Sequence, residues 1–180
     1  MAELDGLNLS WVHERLAISG AFPMSYVHAL TQRGIRHVVD VRDRSTDDIA
    51  SMLANGLDFL HLPTPDRDSL MRAALLRGVQ WVVPRIQRGE AVLLHCEHGM
   101  GRSVLLGLCV LVRLGIQPRE AMVQLKQARP SASPSPRQLE AFIDWSAQEE
   151  RRAPSWDDLA RIAYSSALSL PPDLLERAQA

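Results

Sequence analysis

The sequence predicts an α/β fold in which helices flank a central, mostly parallel sheet. Three short runs of apolar and β-branched residues have the length and composition of buried strands. Stretches with helical apolar spacing separate these runs and follow the last of them. Strands that alternate with helices form a parallel sheet, because each helix returns the chain to the same end of the sheet. The 180 residues have the length of one domain with room for an appendage.

The three strands are predicted at residues 34–41, 57–62 and 91–95. The first run, GIRHVVDV, is rich in β-branched residues, which favour strands. The second ends at a turn with two prolines, residues 63–66. The third, AVLLH, follows Gly89 and is apolar up to its last residue, which is typical of a strand buried on both faces.

Helices are predicted at residues 24–34, 69–88, 102–115, 119–128 and 136–148. The first ends in glycine, as helices often do, and the second has an apolar stripe at helical spacing. The third is apolar almost all round, so we expect it at the centre of the core. The last two have one apolar face each and should cover the outside of the core.

The chain is predicted to consist of a main domain, residues 1–150, and a helical C-terminal extension, residues 151–180. One helix of the extension has an apolar face formed by Trp156, Leu159, Ile162 and Ala163. The extension is predicted to form one or two helices, and the second would lie near residues 171–179. We expect the extension to pack back on the main domain rather than to bind a partner, because its apolar face needs cover.

Composition argues against several kinds of partner. The formal net charge is −1 and the isoelectric point is about 6.6, so no bulk field attracts nucleic acid or anionic lipid. The longest apolar run, residues 104–112, is much shorter than the roughly 20 residues that span a bilayer. The first five residues carry acidic side chains where a signal peptide would be basic. These features predict a cytoplasmic protein with no nucleic-acid or membrane partner.

The two cysteines, Cys96 and Cys109, are too few for a disulfide framework. Neither belongs to a CxxC pair, and the six histidines are scattered without the spacing of metal ligands, so no metal or other cofactor is expected. Cys109 lies in the apolar helix and is interpreted as a structural thiol. Cys96 is a free thiol in a setting that we expect to be reducing.

One motif carries the chemistry: HCEHGMGRS, residues 95–103, between the third strand and the apolar helix. A loop that joins a strand to a helix N-terminus directs backbone N–H groups inward, and the helix dipole adds positive potential. Gly99 and Gly101 allow the loop to curl around an anion. This position should lower the pKa of Cys96, while Arg102 offers a planar fork to phosphate and Ser103 a hydroxyl to the thiolate.

The motif HCxxGxxR[ST] resembles the signature of the protein tyrosine phosphatase superfamily, and the chain resembles its small, atypical dual-specificity members. Trp11 and the segment LAISG, residues 16–20, resemble the start of that domain, so the resemblance covers about residues 8–148. It implies the cysteine-phosphatase fold and a phosphocysteine intermediate. It also implies that Cys96 is the nucleophile and that no metal takes part.

The resemblance also implies an aspartate that protonates the leaving group, on a loop about thirty residues before the cysteine. Asp66 lies 30 residues before Cys96, in the turn after the second strand. Asp68, two residues further on, is the alternative. We expect Asp66 to be the acid.

Further roles follow from the resemblance. Backbone groups of Glu97, His98, Gly99, Met100 and Gly101, with the Arg102 side chain, would bind the phosphate. His95 would orient the loop, or would simply be a core histidine. The acidic Glu97 disfavours highly anionic phosphoinositides, so the expected substrates are phosphoproteins, with phosphotyrosine first, and small aryl phosphate esters. Gln138 either lies near the site, as a glutamine often does in relatives, or is a surface residue.

Two other functions remain open at this stage. Asp40-Val41-Arg42 resembles the strand end of a rhodanese sulfurtransferase, although that family typically has four residues between Cys and Arg and this loop has five. A phosphate-binding module without activity is the second alternative, although such a module would not need the nucleophile. Arg42 is expected either at the rim of the cleft or, preferably, in a surface ion pair with Asp40, Asp43 or Asp47. The sequence does not indicate an oligomeric state.

Overall fold

The computed structural model describes residues 7–45, 47–149 and 151–166. Its sheet has five strands in the order β1-β2-β5-β3-β4. The strands are β1 (Leu9–His13), β2 (Leu16–Ser19), β3 (Ile35–Asp40), β4 (Asp58–His61) and β5 (Ala91–His95). The pair β1 and β2 is antiparallel, and every other neighbouring pair is parallel. The predicted α/β fold with a mostly parallel sheet is confirmed.

Seven α-helices surround the sheet in the described part of the chain. They are α1 (Val27–Gln32), α2 (Ile49–Ala54), α3 (Arg72–Gln87), α4 (Arg102–Arg113), α5 (Pro118–Ala128), α6 (Pro136–Gln148) and α7 (Trp156–Ala163), with a 3₁₀ turn at Met24–Tyr26 before α1. The prediction of one helix over 24–34 was wrong in its first turn, which is 3₁₀. Helix α3 continues through Pro84.

Two layers of apolar side chains enclose the sheet. The larger layer joins one sheet face to helices α3–α7, and the smaller joins the other face to α1 and α2. Every residue of α4 from Arg102 to Val112 is buried, as its all-round apolar pattern predicts. Helix α4 therefore has its N-terminus fixed at the centre of the molecule, directly after β5.

The C-terminal ends of the three central parallel strands meet at one edge. Asp40, the last residue of β3, lies opposite His95 of β5 on one side and His61 of β4 on the other. In parallel α/β sheets this edge is where ligands bind, because the loops that leave it gather around a single crevice. The motif of residues 95–103 begins at this edge.

Helix α7 packs on α5 and α6. Leu159, Ile162 and Ala163 are buried in the larger apolar layer, but Trp156 is 39% exposed, so the expected apolar face of four residues has only three members in the core. Trp156 is the first residue of the helix, where the chain enters from solvent. The second predicted helix of the extension lies outside the described residues.

Within the described ranges, no helix combines the length and the apolar character needed to cross a bilayer.

Candidate active site

The loop between β5 and α4 surrounds the sulfur of Cys96. Cys96 is 3% exposed, and its Sγ accepts a hydrogen bond from the Gly99 N–H at 3.2 Å. The Ser103 hydroxyl lies 3.3 Å from the same sulfur, on the first turn of α4. The sulfur is thus held at the N-terminus of a buried helix, where backbone donors and the helix dipole favour an anion.

These contacts determine the acidity of Cys96. Burial alone would raise the pKa of this thiol, because it disfavours the charged form. Hydrogen bonds from the side chain and backbone of Ser103 and from the Gly99 N–H, together with the charge of Arg102, outweigh burial and lower the pKa below its ordinary value. At Cys109 burial is the largest effect and the charge of Glu149 adds to it, so the pKa of this thiol is raised well above the ordinary value despite a backbone hydrogen bond. Only Cys96 is therefore placed to react as a thiolate.

Gly99 permits the turn of this loop. Its φ is +67°, and a Cβ at this position would lie 2.5 Å from both the carbonyl carbon and the oxygen of Ser19. Backbone atoms cannot move away from such a contact, so the close approach of the loop to β2 requires glycine. A Cβ on Gly101 would lie 2.6 Å from the Gln138 amide oxygen.

Arg129 supports the loop from behind, and our sequence reasoning missed it. Its fully buried guanidinium donates to the carbonyl of Gly99 at 2.5 Å, to that of His98 at 3.2 Å and to that of Asn8 at 3.0 Å. Since C=O and N–H of a peptide point in opposite directions, holding these carbonyls turns the following N–H groups toward the sulfur side. A single arginine at the end of a helix resembles a surface residue in sequence, and its partners lie far along the chain.

Arg102 connects the loop to the turn that follows β4. Its guanidinium is buried, donates to the Thr64 carbonyl at 2.9 Å and lies 2.9 Å from Asp66 Oδ1. The Asp66 side chain is otherwise 65% exposed. The carboxylate therefore stands at the edge of the cavity with one oxygen on Arg102.

Asp68 has a different environment. Its carboxylate lies 3.5 Å from Arg137 and accepts a hydrogen bond from the Ser69 N–H at 2.9 Å. Its backbone carbonyl accepts from the Gln138 amide at 2.8 Å. The structure thus brings Asp66, and not the side chain of Asp68, to Arg102.

One cavity of about 230 Å³ collects most of the predicted site. Six of the residues predicted for the site line it: Cys96, Arg102, Asp66, His98, Met100 and Gly101. Ser103 is buried and contacts the sulfur, whereas Glu97 is exposed on the loop and does not line the cavity. Gln138 is 2% exposed and also lines the cavity, so the surface alternative for this residue is wrong.

His95 belongs to a buried charged cluster beneath the loop. Its Nε2 lies 3.0 Å from Asp47 Oδ2 and its ring packs against Phe22, while Arg42 donates to Asp47 at 2.6 Å and to both oxygens of Asp40. Burial would raise the pKa of Asp47, but His95 and Arg42 together lower it. The ion pair of Arg42 is therefore real but buried, and the predictions that placed Arg42 at the surface or at the cleft rim were wrong.

The same cluster is where a cation would bind if the described residues held one. Donor atoms of Asp40, Asp47 and His95 lie within 4.8 Å of one another. Arg42 already binds three of the four carboxylate oxygens, so its guanidinium is the counter-ion of the cluster. This donor set does not fit a metal ion.

The chain is similar to known proteins both in its sequence family and in its fold. The sequence model of the family described as "Dual specificity phosphatase, catalytic domain" matches residues 19–148. The crystal structure of Tk-PTP in its active form is 26% identical, with a TM-score of 0.72 over 81% of this chain and 98% of that one. Human DUSP28 is similar in fold at 22% identity, with a TM-score of 0.71 over 79% and 95% of the two chains. PTPMT1 in complex with PI(5)P is similar in fold at 19% identity, with a TM-score of 0.75 over 79% and 97%.

Proposed function

The chain belongs to the dual-specificity phosphatase family of cysteine-dependent hydrolases, and we propose that it hydrolyses phosphotyrosine in proteins through a phosphocysteine intermediate. Phosphoserine and phosphothreonine in proteins and small aryl phosphates are further substrates in this proposal. One arrangement carries it: a thiol with a lowered pKa, a buried guanidinium and an aspartate line the same cavity. These are Cys96, Arg102 and Asp66.

In the first step the Cys96 thiolate attacks phosphorus in line with the bond to the leaving oxygen. A sulfur–phosphorus bond forms, the phosphorus–oxygen bond breaks, and its electron pair stays on the leaving oxygen. Asp66 donates its proton to that oxygen, so a neutral phenol or alcohol departs. Arg102 and the N–H groups of residues 97–102 hold the other phosphoryl oxygens and stabilise their charge.

In the second step water attacks the phosphocysteine. The Asp66 carboxylate, ionised since the first step, takes a proton from this water, and the sulfur–phosphorus bond breaks to give inorganic phosphate. The electron pair returns to the sulfur, where Ser103, whose Oγ lies 3.3 Å away, stabilises the thiolate. Gln138 also lines the cavity, and its amide joins two parts of the wall, because its oxygen accepts from the Ser135 N–H and its nitrogen donates to the Asp68 carbonyl, at 2.8 Å each.

The charge on the loop supports a protein substrate over a polyphosphorylated one. Glu97 is exposed on the loop between β5 and α4, and its charge disfavours a ligand with additional negative charge. We therefore propose a phosphoprotein with one phosphate in the cavity at a time. We further propose that residues 1–150 form the catalytic unit and that residues 151–180 are a helical extension of it.

Hydrolysis of para-nitrophenyl phosphate at mildly acidic pH tests the proposal. The wild type should release phosphate and Cys96→Ser should not, while Cys109→Ala, a matched change at the buried thiol of α4, should retain turnover. Quenching the reaction at low pH and measuring the intact mass should give a species heavier by one phosphoryl group, absent in Cys96→Ser. Full activity of Cys96→Ser would rule the mechanism out.

The two alternatives are tested in the same series. A sulfurtransferase would convert thiosulfate and cyanide to thiocyanate, and a binding module would take up phosphate without turnover. The family match does not favour either of them. Activity on phosphotyrosyl against phosphoseryl and phosphothreonyl peptides then ranks the proposed substrates.

A further inference from the structure

Arg67 stands between the two aspartates of the turn after β4 and lines the cavity that contains Cys96. Its φ is +59°, and it is the only non-glycine residue with positive φ in the described part of the chain. The turn is closed by a hydrogen bond of 3.2 Å from the Asp68 N–H to the Pro65 carbonyl, so Arg67 is its third residue. Glycine or asparagine is preferred at such a position, because an L side chain is strained there.

The surrounding contacts hold this strained turn in place on three sides. Asp66 is bound by Arg102 at 2.9 Å, the Arg67 carbonyl accepts from the Ser135 hydroxyl at 3.1 Å, and the Asp68 carbonyl accepts from Gln138 at 2.8 Å. A strained residue that its neighbours fix so completely is typical of functional sites. Here these contacts fix the turn, and none of them involves the Arg67 side chain.

The charge of Arg67 has no counter-ion in the part of the chain that the structure describes. Its two acidic neighbours already have cationic partners, since Asp66 pairs with Arg102 and Asp68 with Arg137. Among the described residues, none forms a hydrogen bond or an ion pair with the exposed Arg67 guanidinium. One unpaired cation therefore remains at the mouth of the cavity.

We infer that Arg67 binds a carboxylate of the substrate, so that the protein prefers phosphopeptides with Asp or Glu within two residues of the phosphorylated one. The inference rests on the phosphatase activity proposed above and adds a substrate preference to it. A single carboxylate matches the one cavity-lining guanidinium that has no partner among the described residues, whereas a polyphosphorylated headgroup would also meet the negative charge of the exposed Glu97.

The test uses two phosphotyrosyl peptides that differ only in having Glu or Gln at the positions flanking the phosphotyrosine. The wild type should hydrolyse the Glu peptide with a kcat/KM about fivefold higher, the scale of one partly exposed ion pair, mainly through KM. The ratio should approach one in 0.5 M NaCl, because salt screens the pair.

Variants at position 67 test whether the preference for the Glu peptide depends on the Arg67 guanidinium. Arg67→Gly suits the positive φ, so the turn should form, and its Glu/Gln ratio should fall to about one. Arg67→Lys should keep part of the preference, and Arg67→Glu should reverse it. Arg33→Ala removes an exposed arginine at the end of α1 and should retain the wild-type ratio.

A wild-type ratio near one, or an unchanged ratio in Arg67→Gly, would overturn the inference while leaving the phosphatase activity intact. The inference would also be overturned if Arg67→Gly lost activity only on phosphoinositide vesicles and not on the peptides. If the wild type hydrolyses neither peptide, the proposed function itself fails, and the inference fails with it.

Discussion

Arg102 Nη2 lies 2.9 Å from Asp66 Oδ1, so the guanidinium suited to a phosphoryl group holds the carboxylate of the neighbouring turn. The other terminal nitrogen donates to the Thr64 carbonyl of the same turn. In the proposed function, a phosphoryl group in the cavity would compete with Asp66 for this fork. Binding of the substrate is thereby coupled to release of the carboxylate, at the place where a leaving oxygen needs a proton.

Asp66→Asn should separate these two effects. Without the acid, turnover of poor leaving groups such as a phosphoserine ester should fall about 10²- to 10³-fold, and para-nitrophenyl phosphate should suffer less, because its phenolate needs no proton. Without the negative charge, Arg102 is freed, so vanadate should bind about two- to fivefold more tightly. Steady-state kinetics measure the loss of turnover, and vanadate inhibition measures the gain in anion affinity.

Asp68→Asn is the matched control, because it changes the same residue type in the same turn. Its carboxylate contacts Arg137 and not Arg102, so its turnover should stay close to wild type. A larger defect in Asp68→Asn than in Asp66→Asn would assign the acid to Asp68.

Ser103→Ala should raise the pKa of Cys96 toward its ordinary value, because the hydroxyl at 3.3 Å favours the thiolate. At a pH between the lowered pKa of Cys96 and the ordinary pKa of cysteine, wild-type Cys96 is ionised while a free cysteine is protonated. The variant should lose reactivity first at the acidic side of this window. Alkylation of Cys96 by iodoacetamide as a function of pH, in a Cys109→Ala background, measures the midpoint. An unchanged midpoint would show that Ser103 does not act on the thiolate.

The sequence was sufficient to predict those elements whose pattern is local. The buried strand β5, the apolar helix α4 and the loop between them were predicted because their signals are contiguous. The six-residue helix α2 was missed, since it is too short to show an apolar stripe, and its start is fixed by the Asp48 cap. Its existence depends on burial of Met52 against the sheet, a contact made across the chain.

Burial and long-range partners account for what the sequence did not predict. Arg42 resembles a surface residue among acidic neighbours, but in the folded chain it is buried between Asp40 and Asp47. Asp66 and Asp68 are two residues apart in one turn, so their distance from Cys96 along the sequence favours Asp66 but does not separate the two environments. They separate only because the positive φ of Arg67 turns the chain between them, so that one carboxylate meets Arg102 and the other Arg137.

Gly99→Ala should destroy the anion site without unfolding the domain. The added Cβ would lie 2.5 Å from backbone atoms of Ser19 and from the Arg129 guanidinium, and the residue would keep a strained φ of +67°. The loop must therefore open, and its donors lose their geometry. We expect tungstate binding, measured by calorimetry, to be lost along with phosphatase activity.

Gly89→Ala provides the matched control, since Gly89 has a φ of +81° but nothing lies within 4 Å of an added Cβ. It should cost about 1 kcal/mol of stability from strain alone and leave tungstate binding intact. Equal tungstate affinity in Gly99→Ala and wild type would contradict the steric argument.

Asp47→Asn should remove a pH-dependent part of the stability. The folded pKa of Asp47 is lowered, so its contribution is present above the unfolded value of about 3.9 and is lost as pH falls through the folded pKa. At pH 7 the variant should be less stable by about 3 kcal/mol, because Arg42 and His95 lose a buried partner. The difference from wild type should shrink as the pH falls below 4.

Urea unfolding at a series of pH values measures this difference. The control is Asp43→Asn, since Asp43 is exposed in the same loop and should unfold like the wild type. A stability gap for Asp47→Asn that is the same at pH 7 and at pH 3 would contradict an ionised Asp47 in the folded cluster.

Tyr164→Phe and Lys126→Met should show that the C-terminal helix supports the wall of the cavity. Lys126 donates to the carbonyls of Ala132 and Ala163 at 2.8 Å each, and Tyr164 donates to that of Pro134 at 2.9 Å. These bonds fasten the loop of residues 130–135 to α7. Since Ser133 and Ser135 of that loop line the cavity, a looser loop should raise KM for phosphopeptides more than it lowers kcat.

The two variants should lose different amounts of stability, because they leave different backbone groups without a hydrogen-bond partner. Tyr164→Phe removes one hydrogen bond and should cost about 1 kcal/mol, whereas Lys126→Met leaves two buried carbonyls unsatisfied at about 1–3 kcal/mol each. Tyr26→Phe is the control, since no partner of the Tyr26 hydroxyl is found among the residues that the structure describes. Urea unfolding and peptide kinetics measure the two effects. If Lys126→Met matches the wild type in both, the extension does not support the cavity wall, because the variant has lost both bonds between the lysine and its carbonyls.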